Sequence, residues 1–234
     1  MEIEILLYEG FDELDAIGPY ETFQTAAEAG GDLAASLVTH HPTERITASH
    51  GLRVEPDGEL SEPDLLVVPG GGWSDRNDRG TWGEYERNDI PPLLAERYDR
   101  GATVASVCTG AMLSERAGLL DGRPAITHAS ALDDLRETAA EVVENVENAG
   151  EKRITSGRTN EAVPRVVDSE EHGPSGPTSE TVPRVVDDGD LLTAGGVTSG
   201  IDLALWLLER ELSGGLAEEV ATTLEYERGA VYRS

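Results

Sequence analysis

The chain has 234 residues, with 46 acidic against 18 basic side chains, a formal charge of −28 and a pI near 4.3. Only one basic residue, Lys152, is a lysine, and no basic footprint exists for a phosphate backbone, so nucleic acid is excluded as a partner. A single cysteine excludes an internal disulfide framework and a cysteine-built zinc site, and no apolar run approaches the roughly 18 residues that span a membrane.

The acids alternate with periodic apolar segments, which points to a coat on a folded surface rather than to disorder. Many carboxylates with almost no lysine suit a salt-adapted cytoplasm, because the Debye length falls to about 3 Å at 1 M salt and self-repulsion is screened. The start, "MEIEILLYEG", lacks the basic lead and long apolar run of a signal peptide, so a cytoplasmic protein is expected.

In chain order, "IEILLY" (3–8) reads as a buried strand and 9–30 as a turn and helix with Leu14, Ile17, Phe23 and Ala27 on one face. "LAASLVT" (33–39) is a second strand, followed by a small hairpin in "RITASHGLRVEPD". "DLLVVPGGG" (64–72) is an apolar strand running into three glycines, and "IPPLLAERYDRG" (90–101) is a helix opened by proline and closed by glycine. "ATVASVC" is the next strand, with a helix through about Leu119. "PAITHAS" (124–130) is a short strand with a helix after it. "DLLTAGGVTSGIDLALWLLEREL" is strand, glycine turn and long helix, and a last helix covers roughly 214–226.

Apolar strands alternating with helices predict a single α/β domain over 1–234, a mostly parallel sheet sandwiched by helices. Such sheets bind ligands beyond the carboxyl ends of their strands, where "PGGG" and "CTG" both fall. One region breaks the rhythm: "VPRVVD" occurs at 163–168 and again at 182–187, with "SEEHGPSGPTSET" between. A local duplication leaving a surface insertion at about 147–181 is expected, read as a partly disordered loop or, alternatively, a hairpin at a partner interface. The second copy would be the strand entering "DDGDLLTAGG".

Cys108 stands where a strand stops and a helix starts, the geometry of a nucleophile elbow, with Gly110 as the small residue that turn needs. A helix start favours thiolate over thiol. The amide of Thr109 and an amide of the glycine loop, from Gly70 and Gly71, would form an anion hole. Trp73 and Trp82 flank that loop and are candidate pocket walls; Tyr20 and Glu21 are weaker candidates. His40, His41 and His50 are expected to face solvent, and no metal site is expected.

"PGGG", "VCTGAMLSERAGLLDGRPAITH" and "LTAGGVTSGIDLAL", in that order, resemble the ThiJ/PfpI superfamily, from residue 3 to about 226 apart from the insertion. The resemblance implies the class I glutamine-amidotransferase-like (flavodoxin-like) fold. It also implies a nucleophilic Cys108, oxyanion amides at Gly71 and Thr109, an acid at Asp15 that hydrogen-bonds the thiol, and His128 near the elbow. "LDAIGPYETF" with threonine after the cysteine is similar to the isonitrile hydratase branch, where that threonine is also implicated. The absence of a late His-x-Glu departs from glutamine amidotransferases, and Thr109 stands where PfpI-type proteases carry histidine. Ala129 replaces a bulky aromatic of many hydratase-like relatives, which implies a wider pocket. With the sequence closing soon after 226, the helix-turn-helix segment that related regulators append is not expected.

The expected function is therefore a cysteine enzyme without cofactor, acting on a small electrophile such as an isonitrile. A glyoxalase or deglycase acting on α-oxoaldehydes is the alternative within the same chemistry. A redox sensor or small-molecule binding module is the non-catalytic alternative. A homodimer is implied by the resemblance.

Overall fold

The computed structural model describes residues 1–144, 154–155 and 182–234. The first VPRVVD copy lies outside the described residues, as does the expected insertion at 147–181 apart from Ile154–Thr155.

The chain opens with strand β1 (Glu2–Leu7), apolar and buried from Ile3 onward, and helix α1 (Glu13–Glu28), whose start is capped by Asp12 accepting the Leu14 N–H at 3.2 Å. Strands β2 (Ala34–Thr39), β3 (Ile46–Thr47), β4 (Arg53–Val54), β5 (Gly58–Glu59) and β6 (Leu65–Val68) follow. Helices α2 (Gly80–Arg87) and α3 (Pro91–Asp99) lead to β7 (Thr103–Val107). After a single 3-10 turn, Cys108–Gly110, come α4 (Ala111–Arg116), β8 (Pro124–Ala125), α5 (Leu132–Arg136), β9 (Glu141–Val142) and β10 (Ile154–Thr155). The chain closes with β11 (Val185–Asp188), β12 (Leu191–Ala194), α6 (Ser199–Glu211), α7 (Gly214–Thr223) and β13 (Val231–Arg233).

The main sheet has nine strands in the order β10-β13-β11-β12-β7-β6-β1-β2-β5. Its centre, β2-β1-β6-β7-β12, is wholly parallel, and antiparallel pairing is confined to β11 with β12 and β10 with β13. This is the doubly wound α/β architecture that the alternation of strands and helices predicts. The strand order reverses between β1 and β6, which opens a crevice at their carboxyl ends. Ile5, Leu6, Leu66, Val67, Val104 and Ala105 fill the sheet's two faces with no solvent exposure.

Four local expectations change. Leu14 is turned outward at 38% exposure, and the inner face of α1 is instead Asp15, Ala16, Pro19, Thr22, Phe23 and Ala26. The apolar stripe is misleading because the helix buries an acid in its first turn. The helix expected through Leu119 is a 3-10 turn plus six residues of α4. "PAITHAS" contributes only Pro124–Ala125 as strand, paired with β9 outside the main sheet; beyond it the Ile126 N–H is taken by the Thr193 hydroxyl at 2.9 Å. Finally, α2 and β13 were not expected, since "GTWGEYER" is polar and opens without a capping side chain, and "VYR" is too short to show a period.

The second VPRVVD copy forms β11 as expected, and its polar residues anchor α6. Asp187 accepts from Trp206 Nε1 at 2.8 Å and from Arg210 at 3.0 Å, while Arg184 pairs with the buried Asp202.

Candidate active site

The carboxyl ends of β1, β6 and β7 bring three loops together. Cys108 follows β7 at φ 58°, in the left-handed region that a non-glycine residue enters only under strain. Its backbone is gripped from both sides: its N–H donates to the Gly195 carbonyl at 3.0 Å, and its carbonyl accepts the Thr127 hydroxyl at 2.9 Å. A Cβ on Gly110 would collide with the carbonyl oxygens of Val68 and Pro69, so glycine alone lets the turn lie against β6. This is the elbow expected at Cys108.

Asp15 reaches the same point from α1 and has no solvent exposure. Its Oδ2 accepts the Gly70 N–H at 2.9 Å, while its Oδ1 is buried with no hydrogen-bond partner. Burial, then the charge of Asp12, pushes the Asp15 carboxyl up to about 8, against the Gly70 N–H and the adjacent Cys108 thiol, which pull it down. Burial first and the Asp15 carboxylate second push the Cys108 thiol up, against the Thr109 N–H, which pulls it down. The low thiol pKa expected from a helix start is therefore corrected, because only a 3-10 turn and a six-residue helix oppose burial and a neighbouring acid. Removing one proton from the pair is far easier than removing two.

The glycine loop lies where it was expected, with its amides already engaged. Gly71, at φ 123°, packs so closely on the Gly10–Asp12 backbone that a Cβ would fall 2.5 Å from the Asp12 nitrogen. Its N–H donates to Thr109 Oγ1 at 2.9 Å, so in this state neither Gly70 nor Gly71 offers an open donor to an anion. Thr109 Oγ1 also meets Thr81 Oγ1 at 3.0 Å, and Thr81 meets Tyr8 Oη at 3.0 Å. Sequence reading missed Tyr8 and Thr81. Neither sits in a motif, and α2 carries no periodic signal that would have drawn attention to Thr81.

The remaining candidates separate from this centre. Nδ1 of His128 accepts the Ser130 N–H at 3.1 Å, which leaves Nε2 as the protonated nitrogen, and the imidazole edge faces Gly196. It reaches Cys108 through its chain neighbour Thr127, not by a hydrogen bond of its own among the described residues. Trp73 is 3% exposed, donates from Nε1 to Asp134 at 2.6 Å and packs edge-on to Trp82 and Tyr85. Arg76 covers both indoles and pairs with Asp134, so Trp73 serves packing rather than an open pocket wall.

His40 is half-buried against His41, while exposed His50 bonds Glu13 at 2.8 Å. Asp12, Glu13 and His50 place one ligand atom each within 4.8 Å of one another. Glu13, however, already accepts from Ser49 and from the backbone of His50, which clamps the β3–β4 hairpin to α1.

The DJ-1/PfpI family pattern matches residues 1–210. An isonitrile hydratase of Pseudomonas putida is 27% identical over 229 residues, covering 97% of this chain and 78% of that protein. A deglycase of Thermococcus kodakarensis is 27% identical over 149 residues, covering 62% of this chain and 82% of its own. Among solved structures, a ThiJ/PfpI family protein from Pseudomonas syringae superposes with a TM-score of 0.69 at 23% identity, over 97% of this chain and 75% of that one.

Proposed function

The chain belongs to the DJ-1/PfpI family, and from that premise we propose that it is a cysteine enzyme that hydrates isonitriles to N-substituted formamides. The observation that carries the reading is the strained Cys108 beside a fully buried carboxyl with one oxygen unpartnered. A nucleophile and a proton donor with few other partners are thereby held together. The likeness to an isonitrile hydratase over nearly the whole chain supports the substrate class.

In the singly ionised pair Asp15 is the carboxylate and Cys108 the thiol. The reaction starts when the thiol proton passes to Asp15, leaving the charge on sulfur and the proton on the carboxyl. Sulfur bonds the terminal isonitrile carbon while the Asp15 proton moves to that carbon, giving a thioimidate on Cys108. Asp15, now a carboxylate, takes a proton from water as the water oxygen bonds the same carbon, and passes that proton to nitrogen. The carbon–sulfur bond then breaks. The hydroxyl proton returns to Asp15, sulfur regains its charge, and the formamide leaves. Thr109, whose hydroxyl sits beside the site, supports the water step.

Incubation with cyclohexyl isocyanide, followed by detection of the formamide, tests this. Turnover that rises with pH toward about 8 and is abolished by Cys108→Ser and Asp15→Asn supports it. Consumption of methylglyoxal with no formamide from the isocyanide would favour the second reading, on α-oxoaldehydes, which rests on the deglycase relative. Peroxide-dependent mass gain at Cys108 without turnover of either would indicate a redox sensor.

The same reading takes the protein as a cytoplasmic homodimer. Leu14 and Leu52 are its exposed large apolar side chains among the described residues, on α1 and the hairpin clamped to it, and they give such an interface an apolar anchor. No described helix is long and apolar enough to cross a membrane.

A further inference from the structure

We propose that Thr81 on α2 is a positioning residue that fixes the direction in which the Thr109 hydroxyl donates and, through it, holds the Gly71 N–H out of the site. The proposal rests on Cys108 being the nucleophile.

The direction follows from counting protons. Each hydroxyl has one proton to give. Tyr8 gives its proton to the Pro69 carbonyl at 2.6 Å, which can only accept. At the Tyr8–Thr81 contact of 3.0 Å the donor must then be Thr81. With that proton used, the 3.0 Å contact between Thr81 and Thr109 must have Thr109 donating. Thr109 in turn accepts the Gly71 N–H at 2.9 Å. The chain therefore runs one way, from Gly71 through Thr109, Thr81 and Tyr8 to Pro69, and both of its ends lie in the glycine loop. All three side chains are buried, Thr81 completely, so water cannot substitute for a missing link.

The arrangement keeps two donors in reserve. While Thr81 accepts from Thr109, the Thr109 proton is committed to Thr81 and the Gly71 N–H is capped by Thr109 Oγ1. A substrate group that turned the Thr109 side chain away from Thr81 would break both contacts, freeing the hydroxyl as a donor and uncapping the Gly71 N–H.

The test is the pH midpoint of Cys108 alkylation by iodoacetamide, read by intact mass, in wild type, Thr81→Val, Thr81→Ser and Tyr8→Phe. Thr81→Val deprives the Thr109 proton of its acceptor. Tyr8→Phe frees the Thr81 proton to turn toward Thr109 and so reverses the chain. Both leave the Thr109 proton free to turn toward its chain neighbour Cys108, and both are expected to lower the midpoint by about half a unit or more, a gain of about threefold in rate below it. Thr81→Ser restores the link and is expected to match wild type. Asp12 and Asp15, the other groups whose charge acts on Cys108, are unchanged in every variant, and Tyr8 is absent only from Tyr8→Phe.

A wild-type midpoint in folded Thr81→Val, or an equal shift in Thr81→Ser, would overturn the proposal. If Thr81→Val does not fold, a wild-type midpoint in Tyr8→Phe would overturn it alone. Absence of isonitrile turnover would defeat the proposed activity and leave this comparison to judge Thr81.

Discussion

Gly70, in the loop after β6, and Asp15, in the first turn of α1, meet in the crevice, and the 2.9 Å bond from the glycine N–H to Oδ2 holds the acid in place while Oδ1 keeps no partner. One oxygen is anchored and the other is left for the proton. The site's chemistry grows from that asymmetry.

Asp15 makes stability depend on pH in an unusual direction. Its carboxyl is raised from an ordinary 3.8 to about 8, so between those values the folded state binds more protons than the unfolded one. Stability from this group is full below about pH 4 and is lost as pH rises through 8. The melting temperature should fall across that window, and Asp15→Asn should flatten the fall and exceed wild type at pH 9. Calorimetry at pH 5, 7 and 9 reads both effects.

Gly110→Ala should cost about 3 kcal/mol, because its Cβ would meet two carbonyl oxygens of the neighbouring strand and loop rather than a movable side chain. Denaturant unfolding measures the loss, and native alkylation of Cys108 should change with it as the turn is displaced.

Asp202 is buried and accepts from Arg184, from Tyr226 at 2.8 Å and from the Gly229 N–H at 2.6 Å, tying α6 to β11 and to the chain's end. Asp202→Asn should destabilise by about 3 kcal/mol, near the low end for broken buried pairs. The reason is that Arg184 keeps 33% of its side chain in water and can rehydrate. A melting temperature lower by roughly 6–12 °C is the expected signature.

The formal charge of −28 predicts a salt requirement, since carboxylates at this density repel at low ionic strength. Dialysis from molar KCl into dilute buffer should abolish the far-ultraviolet circular dichroism of the fold. An unchanged spectrum would contradict that expectation.

The elements legible in the sequence were those whose burial is complete. The runs at Leu65–Val68 and Thr103–Val107 read as strands because both sheet faces are covered. The elbow was legible because Gly110 sits in a fixed place after the only cysteine. Two further parts of the site were not. The direction of the Thr109 hydroxyl depends on Thr81 and Tyr8, which are 28 and 101 residues away in the chain and meet it only in the fold. The sense of the thiol's shift depends on how deeply Asp15 and Cys108 lie together, a property of packing that a helix-start argument does not contain.

Whether Cys108 and Asp15 form one reacting site is decided by Cys108 alkylation as a function of pH in wild type and Asp15→Asn, in molar KCl. Cys108 should alkylate in the native protein, and Asp15→Asn should lower the midpoint, because a carboxylate that opposes the thiolate is gone. A thiol that reacts only after unfolding, or a midpoint indifferent to Asp15, would contradict a shared site.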